Sequence, residues 1–355
     1  MRLSCQREHW LFAAKICAKV EIYMIFFCSE FCAPYLRRVE PLTRLDTEGR
    51  VVIGVAELYD NIYAVFAGSN TIYVYSASNK FISTSGASNR KLKQPSYSRL
   101  SNVIVTEMED PRGLAACLTT GHLYVADCSG QCIWQVTIER VVAAVGEENR
   151  SSADGNVVKF EYTAIKWAEN VGRPRSLSLT AAGQVLLIDA DSEELFVYNG
   201  RGEREATVSL RDKGILAPWH AIPASSSFSS TETTYLVCHG WANTQRHRVC
   251  EIDRDGHILR ECGGDYGLDP GQLACPSYLA QGQGCGGGFV IDRHRVLALS
   301  RDRRQPRLCI QRVVSWRPND ADHYWTLRRL CYTVTSGRLL VVWQEGFIDV
   351  IRVSS

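Results

Sequence analysis

The sequence predicts an all-β chain folded as a six-bladed β-propeller of four-stranded antiparallel blades, closed by an N-terminal strand. Three observations predict it. Short apolar runs rich in β-branched and aromatic residues recur along the chain, each too short for a helix. Gly, Asn and Asp turn residues separate them. The runs also recur as one phrase, six times over. A Pro-containing or Leu-rich lead-in strand meets a Gly turn. A buried apolar strand ending in a polar group follows, then a short loop and an alternating strand. The repeat length, roughly 45–65 residues, fits propeller blades with loop insertions. One such unit cannot bury both its faces, so the units stack. Radial stacking leaves only short edges exposed.

Residues 1–38 stand outside the pattern. Their longest apolar run, residues 22–28, is far short of the roughly 20 residues a spanning helix needs. Lys15 and Lys19 interrupt the apolar centre that a signal peptide would require. The expectation is an accessory N-terminal segment, helical or left from a longer parent chain, before one domain at 39–355.

The first unit has strands at 51–55 (VVIGV), 62–66 (IYAVF) and 71–75 (TIYVY), then a polar loop with an outer strand up to residue 101. The second leads in at Pro111 and buries 121–127 (GHLYVAD) before alternating at 132–136 (CIWQV). The third leads in at Pro174, buries 183–189 (GQVLLID), alternates at 194–198 (ELFVY) and turns on Asn199-Gly200, a favoured hairpin pair. The fourth starts at Pro218 and carries a Ser/Thr-rich insert at 225–234. The fifth starts at Pro276, and its Gly-rich stretch at 284–288 precedes a strand, so it cannot cradle phosphate as a helix N-terminus would. The sixth runs from Leu327 and ends on a strand at 347–353 with nothing after it. Residues 42–45 (LTRL) are the candidate to complete that blade.

Within 234–280 the residues become specific. His247-Arg248-Val249, Asp253, Asp255-Gly256, Gly263-Gly264, Gly267, Pro270-Gly271-Gln272-Leu273 and Pro276 resemble the core of an NHL repeat, in which each repeat is one four-stranded propeller blade. The resemblance implies a non-catalytic platform that presents loops to a protein partner. Members of the family often follow RING, B-box and coiled-coil modules in ubiquitin ligases. This chain has neither paired-Cys zinc patterns nor heptads, so no ligase activity is assigned to it.

Some NHL propellers bind RNA on a basic face. Trp241, Arg246 and Arg248, with Arg301, Arg303 and Arg304, would supply charge beside stacking rings. Against this, the net charge is only +2, which gives little non-specific attraction. A third alternative comes from gluconolactonase-like and amidating-lyase propellers, metal-dependent hydrolases and lyases. His220 and His239 are the candidate ligands, but three imidazoles are wanted and the lyase signature is missing. Asp127, Asp189, His239, Asp292 and Glu345 follow the buried strands and are placed at one mouth of the central channel. They would bind a ligand there or simply satisfy loop backbone. No other catalytic signature occurs, and no cofactor is expected. The composition is 45% hydrophobic and 22% charged, that of a soluble globular chain. Fourteen cysteines lie mostly in apolar strand patterns, as small hydrophobes in a reducing compartment. A monomeric, cytoplasmic protein without membrane contact is expected.

Overall fold

A computed structural model describes residues 38–78, 96–144, 156–224, 233–241, 244–282, 287–301, 308–316 and 327–354. The N-terminal segment expected at 1–38 thus lies outside the described residues, except Arg38. The rest is six antiparallel four-stranded sheets. The first blade is β2 (Val52–Leu58), β3 (Asn61–Phe66), β4 (Thr71–Ser78) and β5 (Ser96–Ile104). The second is β6 (Pro111–Cys117), β7 (His122–Asp127), β8 (Cys132–Ala144) and β9 (Asn156–Glu169). The third is β10 (Pro174–Leu179), β11 (Val185–Asp189), β12 (Glu194–Tyr198) and β13 (Arg204–Ser209). The fourth is β14 (Pro218–Pro223), β15 (Tyr235–His239), β16 (His247–Ile252) and β17 (Ile258–Gly264). The fifth is β18 (Pro276–Gln281), β19 (Gly288–Asp292), β20 (Arg295–Arg301) and β21 (Leu308–Trp316). The sixth joins β22 (Leu327–Thr333), β23 (Arg338–Trp343) and β24 (Phe347–Ser354) to β1 (Arg38–Asp46).

The ring closes where the sequence places the closure. In β1, Thr43 lies opposite Val350 and Leu45 opposite Ile348. Arg44 Nε donates to Asp349 at 2.7 Å, and the other Asp349 oxygen accepts from Trp343 Nε1 at 2.8 Å. One carboxylate therefore ties the N-terminal strand to two strands of the last blade.

The lead-in strands β2, β6, β10, β14, β18 and β22 touch one another in turn around the axis, β22 returning to β2. The most apolar runs are the second strands, one step out. Each is flanked by strands on both edges and by neighbouring blades on both faces, so β7, β11, β15, β19 and β23 are buried almost end to end.

All six inner strands carry the same irregularity. The register shifts between Val52 and Gly54, Pro111 and Gly113, Pro174 and Ser176, Pro218 and His220, Pro276 and Tyr278, and Leu327 and Arg329. A bulge leaves one residue unpaired and re-aims its side chain. The unpaired residues are Ile53, Arg112, Arg175, Trp219, Ser277 and Arg328. The residues after them, Gly54, Gly113, Ser176, His220, Tyr278 and Arg329, form a second layer.

Candidate functional site: the two mouths of the channel

The six bulges lie where the inner strands begin, here called the entry mouth. Three of the six unpaired residues are arginines. Arg329, in the next layer, turns its guanidinium onto main chain of three blades: Nε donates to Ile53 O at 2.6 Å, one terminal nitrogen to Arg328 O at 2.9 Å, the other to Arg112 O at 3.0 Å. It also lies 5.0 Å from the centre of the Tyr278 ring. Burial pulls its pKa below the ordinary guanidinium range, and neighbouring Arg328 and Arg112 add to this. Arg112 is held by Asp110 at 2.7 Å. Arg175 donates to Pro218 O at 2.8 Å and sits 4.7 Å over the Trp219 ring, which packs 5.0 Å from Trp241.

His220 sits one layer in, between three blades. Its Nε2 faces Leu177 O at 3.3 Å and its Nδ1 accepts from Leu279 N–H at 3.2 Å, so the proton resides on Nε2. The ring stacks on Tyr278 at 3.8 Å. Burial drives its pKa down to about 3, which keeps it neutral.

His220 and Tyr278 also floor a cavity of about 360 Å³ at the other end of the axis. All six inner strands line it, through residues such as Val55, Leu114, Leu177, Ile222, Leu279 and Leu330. Its walls are mostly aliphatic. On its rim Glu57 is buried against Arg338, with Ser336 Oγ at 3.2 Å. Burial raises the Glu57 pKa despite that arginine. The pair joins the first blade to the last.

The groups named from sequence fall as follows. Asp127, Asp189, His239 and Asp292 lie opposite Pro111, Pro174, Pro218 and Pro276, at the entry end but one strand out from the axis. Asp127 accepts from the backbone of Glu109, Asp110 and Gly130 and from Trp134 Nε1, at 2.9–3.2 Å. Burial opposes ionisation of Asp127, but those bonds outweigh it and hold its pKa below the carboxylate range. Asp189 accepts from Arg173 N–H and from Ser192 N–H and hydroxyl. Asp292 accepts from Ala274 N–H and pairs with Arg295 at 2.8 Å. Burial raises its pKa even so. The register corrects one placement: Trp343, opposite Leu327, holds the corresponding position in the sixth blade, and Glu345 is exposed in the turn beyond it.

His239 Nδ1 donates to Leu216 O at 3.2 Å and its Nε2 lies 3.6 Å from Cys250 Sγ. Burial takes its pKa to about 4. The nitrogens of His220 and His239 thus face different partners.

The basic residues named from sequence do not share a face. Trp241 and Arg246 are exposed at the entry end. Arg248 is buried and pairs with Glu261 at 2.5 Å. Arg301 lies at the opposite end, where Nε donates to buried Glu251 at 2.9 Å. Arg303 and Arg304 lie outside the described residues. The sequence reading does not single out the bulge arginines; Arg112 and Arg175 each follow a lead-in proline, whereas Arg328 follows Leu327 and carries no such mark.

A family model for the NHL repeat matches residues 109–136, in the second blade, whereas the residues that resemble the repeat in the sequence centre on the fourth. With six four-stranded blades around one axis, the chain is a six-bladed β-propeller that carries an NHL-repeat match in one blade. No curated protein sequence matches it. Among solved structures it is similar to the WD40 β-propeller domain of Doa1, at 12% identity and TM-score 0.50, covering 89% of this chain and 97% of that one. It is similar to a streptogramin B lyase, at 9% identity and TM-score 0.51, covering 89% and 98%. It is also similar to virginiamycin B lyase from Staphylococcus aureus, at 8% identity and TM-score 0.52, covering 89% and 99%. Likeness at these identities carries the fold and no chemistry.

Proposed function

We propose that this propeller is a non-catalytic platform that binds a protein partner on its entry face. The observation that carries this reading is an exposed apolar and aromatic patch on the loops of that face. Leu216, Trp241, Tyr266 and Leu268 are each 44–49% exposed. They are neighbours through the chain of contacts between them. His239 bonds Leu216 O, Gly240 leads to Trp241, and His247 packs 5.1 Å from Tyr266. Tryptophan and tyrosine are enriched among the residues that carry most of an interface's binding energy. Trp241 packs against Trp219.

The protein is read as monomeric and cytoplasmic. The nine cysteines among the described residues are free thiols, which suits a reducing compartment. Among the described residues no helix is long and apolar enough to cross a membrane.

The test uses two charged substitutions, one per face. Trp241→Asp alters the entry patch and Leu118→Asp, 44% exposed, alters the opposite end. Partners are captured by cross-linking in cells and compared by mass spectrometry. Entry-face binding predicts that W241D loses at least tenfold of a partner that L118D keeps. Equal recovery by both variants overturns the reading.

A further inference from the structure

We propose that the bulge-ring mouth is an anion site that takes one carboxylate of an acidic peptide segment on the channel axis. This rests on the platform reading and names what the partner would present. Three arginines adjoin there, Arg112, Arg328 and Arg329. The Arg329 guanidinium bonds the main-chain oxygens of the other two, and their positive charges act on it. Among the described residues, the one carboxylate hydrogen-bonded to any of them is Asp110, on Arg112. The donors of Arg329 go to carbonyls, which neutralise no charge.

Two buried donors on the same ring have no hydrogen-bond partner among the described residues: Arg328 Nε and Trp219 Nε1. Both are N–H groups, so both call for an acceptor. Buried donors left unpaired and cations held without counter-charge are costly arrangements. An oxyanion at the mouth would supply the missing counter-charge, and a guanidinium fork fits a planar carboxylate.

A single anionic group fits better than a polyanion. Around the mouth, Glu48, Glu107 and Asp191 each hold a rim cation, namely Arg50, Lys166 and Arg173. Glu109 is exposed beside them. A nucleic-acid backbone laid over this face would meet those carboxylates, and paired cations release few counterions. A peptide instead gains the apolar patch. Arg175, Trp219 and Trp241 lead from the axis to it without a break.

The experiment measures binding of a fluorescent, end-blocked hexaglutamate peptide by anisotropy at low salt. Hexaglutamine and oligouridylate are the comparison probes. Arg328→Gln is set against Arg254→Gln, the same charge change in the exposed turn after β16. The proposal expects hexaglutamate to bind at least tenfold tighter than hexaglutamine. It expects R328Q to weaken that binding at least tenfold and R254Q less than twofold. Should R328Q not fold, as judged by its melt, Arg112→Gln replaces it with the same expectation. Equal binding of the two peptides overturns the proposal, as do equal effects of the two substitutions. Oligouridylate binding more tightly and being lost in R328Q would assign the mouth to nucleic acid and also overturn it. If the peptide fails while W241D still loses its partner, only the anion site falls. If W241D keeps its partner too, the platform reading falls with it.

Discussion

The layer just inside the bulges divides the ring into two unlike halves. Blades one to three contribute Gly54, Gly113 and Ser176, and blades four to six contribute His220, Tyr278 and Arg329. The backbone geometry is the same in both halves, since all six strands bulge at the same place. The side chains differ because a nearly symmetric ring must still fill an asymmetric interior. On the small side, blades approach closely: a Cβ on Gly54 would lie 2.7 Å from Val65 Cγ2 and 2.8 Å from Leu114 N. On the large side, rings and a guanidinium span the gaps. Arg329 reaches the carbonyls of Ile53 and Arg112, the residues just before the two glycines. Symmetry in the strands thus coexists with division of labour in the side chains.

The most severe way to break that division is to give the small half a side chain. Gly54→Val should destabilise the domain by about 3 kcal/mol or more, since overpacking against backbone cannot relax by a rotamer change. Truncating the large half at Tyr278→Ala should cost a similar amount, about 3–5 kcal/mol, by the opposite route of an unfilled cavity. Urea unfolding checks both. If G54V unfolds at the wild-type midpoint, the two halves are not constrained as described.

A second test uses protons. Burial puts the pKa of His220 at about 3 and that of His239 at about 4, against about 6.5 in an unfolded chain. Below pH 6.5 the unfolded chain takes up protons that the folded chain refuses. Stability is therefore full above pH 6.5 and falls as the pH is lowered toward the folded values, by about 1.4 kcal/mol per pH unit for each histidine. His220→Gln removes one of these contributions. Between pH 7 and pH 5 it should lose about 2 kcal/mol less than the wild type, even though it is the less stable protein at pH 7. Parallel pH profiles for the two proteins would show that the imidazole is not held neutral between the blades.

What the sequence disclosed follows the same physics. The second strands are buried on both faces and both edges, so they appear as uninterrupted apolar runs, and the sixfold phrase and the closing strand were legible from them. The channel was not legible. Inner strands have one edge open to the axis, so their pattern is mixed, and attention goes to the polar residue ending each apolar run. Those residues, Asp127 and Asp189 among them, fasten the loop that enters the neighbouring inner strand. The basic residues misled for another reason. Arg248 and Arg301 look free in the sequence, yet their carboxylates lie 13 and 50 residues away, and pairing over such separations is set by blade register. The bulge ring had a visible trace in Pro111-Arg112, Pro174-Arg175 and Pro218-Trp219. Its meaning needed the register shift, which no residue type encodes alone.

The gentlest probe of the small half is Ser176. Its hydroxyl donates to Trp219 O at 2.8 Å, linking the third blade to the fourth where the halves meet. Ser178 repeats the contact two residues on, to Ala221 O at 2.6 Å. Ser176→Ala deletes one neutral hydrogen bond and adds no bulk, so the expected loss is about 1 kcal/mol. The double variant with Ser178→Ala reports whether the seam acts as a unit. Independent links would give additive losses, whereas a seam that opens together would give a joint loss differing from the sum by more than about 0.5 kcal/mol. Because Trp219 also carries one of the unpaired donors of the entry mouth, hexaglutamate affinity should fall in the single variant only if this bond holds Trp219 in place. Unchanged affinity with the expected loss of stability would separate the ring's mechanical seam from its binding surface.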